Sequence, residues 1–125
     1  MDVALACPAR ILVIARPVLG RRIERALRAV GHEVHRTPDP LNAVALAERL
    51  RPQIAVVALD LPWGDAEAAV YRLRALRHAM SILVLGEPRG DSLQNGLLRL
   101  PLDVDTIDLE EAIANLLSVP RAVAV

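Results

Sequence analysis

Fifteen acidic residues, fifteen arginines, three histidines and one cysteine are the groups through which this 125-residue chain could do chemistry. Their spacing favours none of the common reactions. Cys7 has no second cysteine, so neither an intrachain disulfide nor a cysteine-rich metal site can form, and a reducing compartment is the natural setting. His32 and His35 lie three residues apart at the entry to a short strand, where the two rings need not converge; no metal site is expected. No Ser/Cys–His–acid set is suggested, and Ala15-Arg16-Pro17 stands where a glycine-rich phosphate loop would follow the first apolar run. All basic residues are Arg, which removes lysine-dependent mechanisms. The formal net charge is zero and Trp63 and Tyr71 are the only aromatics, which argues against a basic nucleic-acid binder and against a base-stacking platform. The expectation is a non-enzymatic protein with no cofactor, no nucleic-acid partner and no membrane segment, since no apolar run nears the roughly 20 residues a span needs.

The elements that must position these residues are legible. Three apolar, β-branched runs, residues 11–15 (ILVIA), 54–59 (IAVVAL) and 82–85 (ILVL), lack polar alternation and so read as strands buried on both faces of a parallel sheet. Weaker strands are expected at 33–36 and 97–100. Between them lie helical periods. In residues 18–30 Leu19, Ile23, Ala26, Leu27 and Val30 form one stripe, with Arg21, Arg22, Arg25 and Arg28 off it and Gly31 as C-cap. Asp39-Pro40 opens a second helix that Pro52 stops. Asp65 caps a third, with Ala66, Ala69, Val70, Leu73 and Leu76 inward, and residues 106–117 form the last. This alternation demands right-handed βαβ crossovers: one α/β, doubly wound domain over residues 1–125, its core about 10–117. A hydrophobic content of 54% suffices for that core, and the opening residues lack the basic and apolar regions of a secretory signal, so a cytoplasmic protein is expected.

From 27 to 62 the chain reads LRAVGHEVHRTPDPLNAVALAERLRPQIAVVALDLP, and Leu100-Pro101 followed by Asp103 precedes the last helix. This succession resembles the receiver domains of bacterial response regulators. The resemblance implies a flavodoxin-like, five-stranded parallel sheet of order 2-1-3-4-5. It also implies where a receiver keeps its phosphoryl-transfer parts, and those positions have changed. By the family's spacing the phospho-acceptor aspartate falls on Ala58, the Mg²⁺-binding acidic pair on Ala15 and Arg16, the hydroxyl residue on Gly86 and the lysine on Leu100. A methyl group accepts no phosphoryl group, and a guanidinium repels a dication that needs oxygen ligands. The resemblance therefore implies a degenerate pseudo-receiver. Gly86 and Leu100 are also too close for a full helix broken by Pro88, Gly90 and Gly96, so the family's fourth helix is expected to be shortened or missing, baring apolar sheet or neighbouring-helix surface.

The resulting expectation is a phosphorylation-independent signalling or regulatory module acting by contact with a protein partner or with a second copy as a homodimer. Trp63 either plugs the vacated pocket or anchors the partner, with Leu109, Ile113 and Leu116 of the last helix as the remaining interface residues. Arg16 and Glu87 are expected to pair across the strand ends, near Asp60, an ordinary loop residue. Glu24 is expected to pair with Arg28 at i,i+4, leaving a solvated basic helix face. The alternative is a small-ligand sensor using the emptied mouth at Ala15, Arg16, Ala58, Gly86 and Glu87.

Overall fold

Every side chain of the third strand, Ile54–Ala58 (β3), is buried, which is why its sequence shows no polar alternation. It lies between Arg10–Ile14 (β1) and Ser81–Leu85 (β4) in a five-stranded parallel sheet; Glu33–Thr37 (β2) flanks β1 and Leu98–Leu100 (β5) flanks β4, giving the order 2-1-3-4-5. The computed structural model describes residues 8–61, 65–76, 79–87 and 97–118. Among them are four helices: Pro17–Ala29 (α1), Pro40–Leu50 (α2), Asp65–Arg74 (α3) and Thr106–Ser118 (α4).

Adjacent strand residues point to opposite faces, and each face has its own core. On one side Ile11, Val13, Val56, Leu83 and Leu85 pack with Ile23 and Leu27 of α1 and Leu109 and Ile113 of α4. On the other, Leu12, Ile14, Val57 and Val84 pack with Ala43 and Ala47 of α2 and Ala66, Val70 and Leu73 of α3. The helix ends follow local chemistry. Leu41 N donates to Asp39 Oδ1 at 3.0 Å, so Asp39 caps α2, with Pro40 at the first helical position. Gly31, at φ 101°, closes α1: His32 N donates to Leu27 O and Gly31 N to Arg28 O, the paired bonds of a Schellman motif. Asp65 is the first residue of α3 rather than the residue before it, where its charge still favours the helix N-terminus. Arg51 ends α2 at φ 51°, an unusual conformation for a residue with a Cβ.

β4 ends at Leu85 and β5 begins at Leu98, about a dozen residues apart, the lower limit for a parallel crossover. The expected shortening of the family's fourth helix falls on residues 88–96, outside the described residues. β4 itself is covered, with Val84 0% and Ile82 7% exposed, while Leu98 of β5 is 37% exposed.

Candidate functional site

Parallel pairing brings the five positions that the resemblance assigns to a receiver's site to one edge of the sheet. Ile14 of β1 is in register with Val57, Ala58 with Leu85, and Leu85 with Leu100, so Ala15, Ala58, Gly86 and Leu100 succeed one another across the carboxyl ends of four strands. This edge is where open α/β sheets bind ligands. Backbone bonds lock it: Leu59 N donates to Leu85 O and Gly86 N to Leu100 O, both at 2.8 Å.

The side chains at this mouth are apolar and packed. Ala58 is 0% exposed and Ala15 is buried, and both belong to the core shared with α1 and α4. Leu100 and Leu102 pack against that same core. Leu102, from the turn between β5 and α4, lies so close over Gly86 that a Cβ built there would sit 3.2 Å from its Cγ and Cδ1. Gly86 also adopts φ 105°, a second reason why no side chain fits. Leu102 thus covers Gly86, a contact its sequence position alone did not suggest.

Arg16 straps the rim. Its Nη2 donates to Asp60 O at 3.0 Å and its Nε lies 3.4 Å from Asp60 Oδ2. Of the two carboxylates expected near Arg16, Asp60, which follows the neighbouring strand β3, is the partner, and no pair with Glu87 forms among the described residues. Asp60 Oδ1 is buried without a hydrogen bond. The donor set does not fit the Mg²⁺ that receivers hold. The Asp60 carboxylate already has the Arg16 guanidinium against it, and among the described residues no group of three or more acidic, His or Cys side chains converges on a metal-sized site.

The interface expectation for the last helix is also corrected. Leu109 is 1% and Ile113 0% exposed, and Leu116 packs against the same core. Leu109 and Ile113 thus cover the sheet of their own chain, while Leu116 is only partly buried. Trp63 lies outside the described residues. Arg99 is exposed, while its neighbour Leu100 turns to the core.

His32 and His35 make structural contacts. His32 Nδ1 accepts from Ala9 N at 3.0 Å, and burial lowers its pKa, with Glu110 opposing the shift. His35 Nε2 lies 2.7 Å from Glu33 Oε2, and that hydrogen bond, with Arg10 assisting, lowers the Glu33 pKa.

The basic face of α1 splits in two. Glu24 pairs with Arg28 at 2.9 Å, as expected, and also with Arg36 of β2 at 2.5 Å. The Arg36 hydrogen bond is the main reason the Glu24 pKa is lowered. Arg22 donates to Val104 O at 2.6 Å, tying α1 to the start of α4. Arg21 and Arg25 make no ion pair among the described residues. With Arg22 they line an open groove of about 590 Å³ whose other wall is Thr106 and Glu110. A charge pattern on one helix is visible in sequence; the second wall, more than eighty residues away, is not.

The comparisons with known proteins agree with this geometry. No family model matches the chain. A curated relative, the "Probable transcriptional regulatory protein TcrX" of Mycobacterium tuberculosis, is 30% identical over 79 residues, which is 62% of this chain. The chain spans 34% of that relative's length. Among solved structures, the receiver domain of a sensor histidine kinase from Pseudomonas aeruginosa superimposes with a TM-score of 0.79 at 26% identity, covering 90% of this chain and 100% of that one. A receiver domain from Methanospirillum hungatei gives a TM-score of 0.78 at 20% identity, covering 87% and 93%. The structural neighbours of this chain are response-regulator receiver domains, and its fold is theirs.

Proposed function

We propose that this chain is a receiver-like signalling module that works by protein–protein contact, without receiving a phosphoryl group. One observation carries the reading: at the edge where receivers keep their chemistry, this chain has Ala15, Arg16, Ala58, Gly86 and Leu100, with Leu102 lying against Gly86. A framework kept while the groups for phosphoryl transfer are replaced is what a binding role needs and a catalytic one does not. No described helix is long and apolar enough to cross a membrane, and with Cys7 the sole cysteine a cytoplasmic, single-domain reading of residues 1–125 is the simplest.

The test is incubation with acetyl phosphate and Mg²⁺ followed by intact-mass spectrometry. The expected result is an unmodified chain. Labelling at any aspartate, Asp60 above all, overturns the reading. The ligand-sensor alternative is disfavoured by Leu102, whose side chain takes up space a ligand would need.

A further inference from the structure

The two flanks of α4 carry opposite charge. On one, Arg21, Arg22 and Arg25 of α1 face Thr106 and Glu110 across the groove. On the other, Asp103, Asp105, Asp108 and Glu111 border a second open groove of about 480 Å³ between α4 and the end of β5. A helical turn of 3.6 residues sets Thr106 and Glu110 on one side of the buried Leu109–Ile113 stripe and Asp108 and Glu111 on the other. The basic groove is short of counter-charge from within: Glu110 is the one carboxylate lining it, against three guanidinium groups.

We propose that copies of this chain associate head to tail, the Arg21/Arg25 groove of one copy receiving the Asp103/Glu111 flank of the next. The proposal names the partner for the binding role proposed above and rests on that reading. Arginine forks match carboxylates in paired hydrogen bonds, and charge complementarity fixes register and speeds encounter. Exposed ion pairs alone contribute little, so the contact needs apolar area as well. Val18, 76% exposed, lines the basic groove, and Ile107, 68% exposed, lies on α4 between the two flanks. The zero net charge of the chain removes the overall repulsion that would keep copies apart. Because the two surfaces are different, the contact is heterologous: it leaves an unused groove and an unused flank at the ends, and it builds chains or rings rather than a closed two-fold dimer.

Sedimentation velocity of the full chain across a wide concentration range tests this. Association is expected at about 0.01 M salt and is expected to weaken by about tenfold or more at about 1 M, where the screening length has shrunk from about 30 to about 3 Å. The double variants Arg21→Glu/Arg25→Glu and Asp103→Arg/Glu111→Arg should each stay monomeric alone. Mixed, they should associate again, because the reversed groove meets the reversed flank while the remaining groove and flank keep their native charges. Neither variant touches a core residue or an ion pair among the described residues, and circular dichroism checks that both fold. A wild-type chain that is monomeric throughout at low salt overturns the proposal, as does association that ignores salt and both variants. A monomer whose groove instead binds duplex DNA through Arg21 and Arg25 also overturns it. None of these outcomes bears on acetyl phosphate labelling, so the two readings fail separately.

Discussion

On the readings proposed above, the carboxyl edge of the sheet and the two flanks of α4 exchange the roles expected of them in this fold. The edge, where open α/β sheets hold their ligands, is packed: Ala58 and Ala15 are buried and Leu102 closes over Gly86. The helix flanks, which in most globular domains are merely solvated, carry segregated charge in open grooves, with Arg21, Arg22 and Arg25 on one side and Asp103, Asp108 and Glu111 on the other. A site of transfer chemistry needs polar groups held away from water and within reach of one another. A site of docking needs complementary groups held in water. By that criterion the proposed reading makes the edge structural and the flanks the docking surface.

The sharpest way to break this comparison is to place a carboxylate at the position where the resemblance puts the acceptor. Ala58→Asp places a carboxylate at a fully buried position among apolar side chains. It is expected to cost about 3–5 kcal/mol in urea unfolding, the penalty of a buried charge without a partner, and to leave the chain inert to acetyl phosphate. A variant as stable as wild type that takes up a phosphoryl group would mean the edge is open after all.

Gly86→Ala asks whether Leu102 is a stopper or a bystander. The new methyl must occupy φ 105° and sit 3.2 Å from Leu102. A loss of about 2 kcal/mol is expected, from backbone strain and crowding together. Leu102→Ala in the same chain should relieve the crowding, so the two changes should add to less than their separate costs. Full additivity would show that Leu102 does not touch this site.

Removing the strap by Arg16→Ala should cost less than about 1 kcal/mol, since both partners of the pair are partly exposed. That small effect is what separates a rim contact from a catalytic cation. If Arg16→Ala abolished a signalling output while leaving unfolding unchanged, the edge would regain a functional role.

How much of this was legible in the sequence depended on whether the partner of each residue was local. The runs ILVIA, IAVVAL and ILVL announce strands because both of their faces are buried, and β1, β3 and β4 lie there to within a residue at each end. Asp39-Pro40 and Gly31 announce helix ends because capping is decided by residues in the same turn. The partner of Arg16 was not legible: Glu87 and Asp60 are both distant in sequence, and only the order of strands at the rim decides between them. Leu109 and Ile113 show the same limit in another form. An amphipathic stripe states that a helix must be covered, not by what, and here the sheet of the same chain covers it. Leu102 was invisible for a simpler reason, since one leucine in a turn carries no period.

The smallest expected effect lies away from both regions compared, and it serves as their control. His32 ties the start of β1 to the end of α1 by accepting from Ala9 N through Nδ1, which it can do only while that nitrogen is unprotonated. Burial lowers its pKa in the folded chain, so the unfolded chain binds the proton more readily. Its contribution to stability is therefore fully present above the unfolded value of about 6.5 and is lost as pH falls below it toward the lowered folded value. His32→Gln should flatten this part of the pH–stability curve while leaving salt-dependent association unchanged at neutral pH, because His32 lines neither groove. If that single change altered association as well, the two flanks of α4 would not be independent of the core that holds the helix in place, and the separation between an inert frame and an active charged surface would fail.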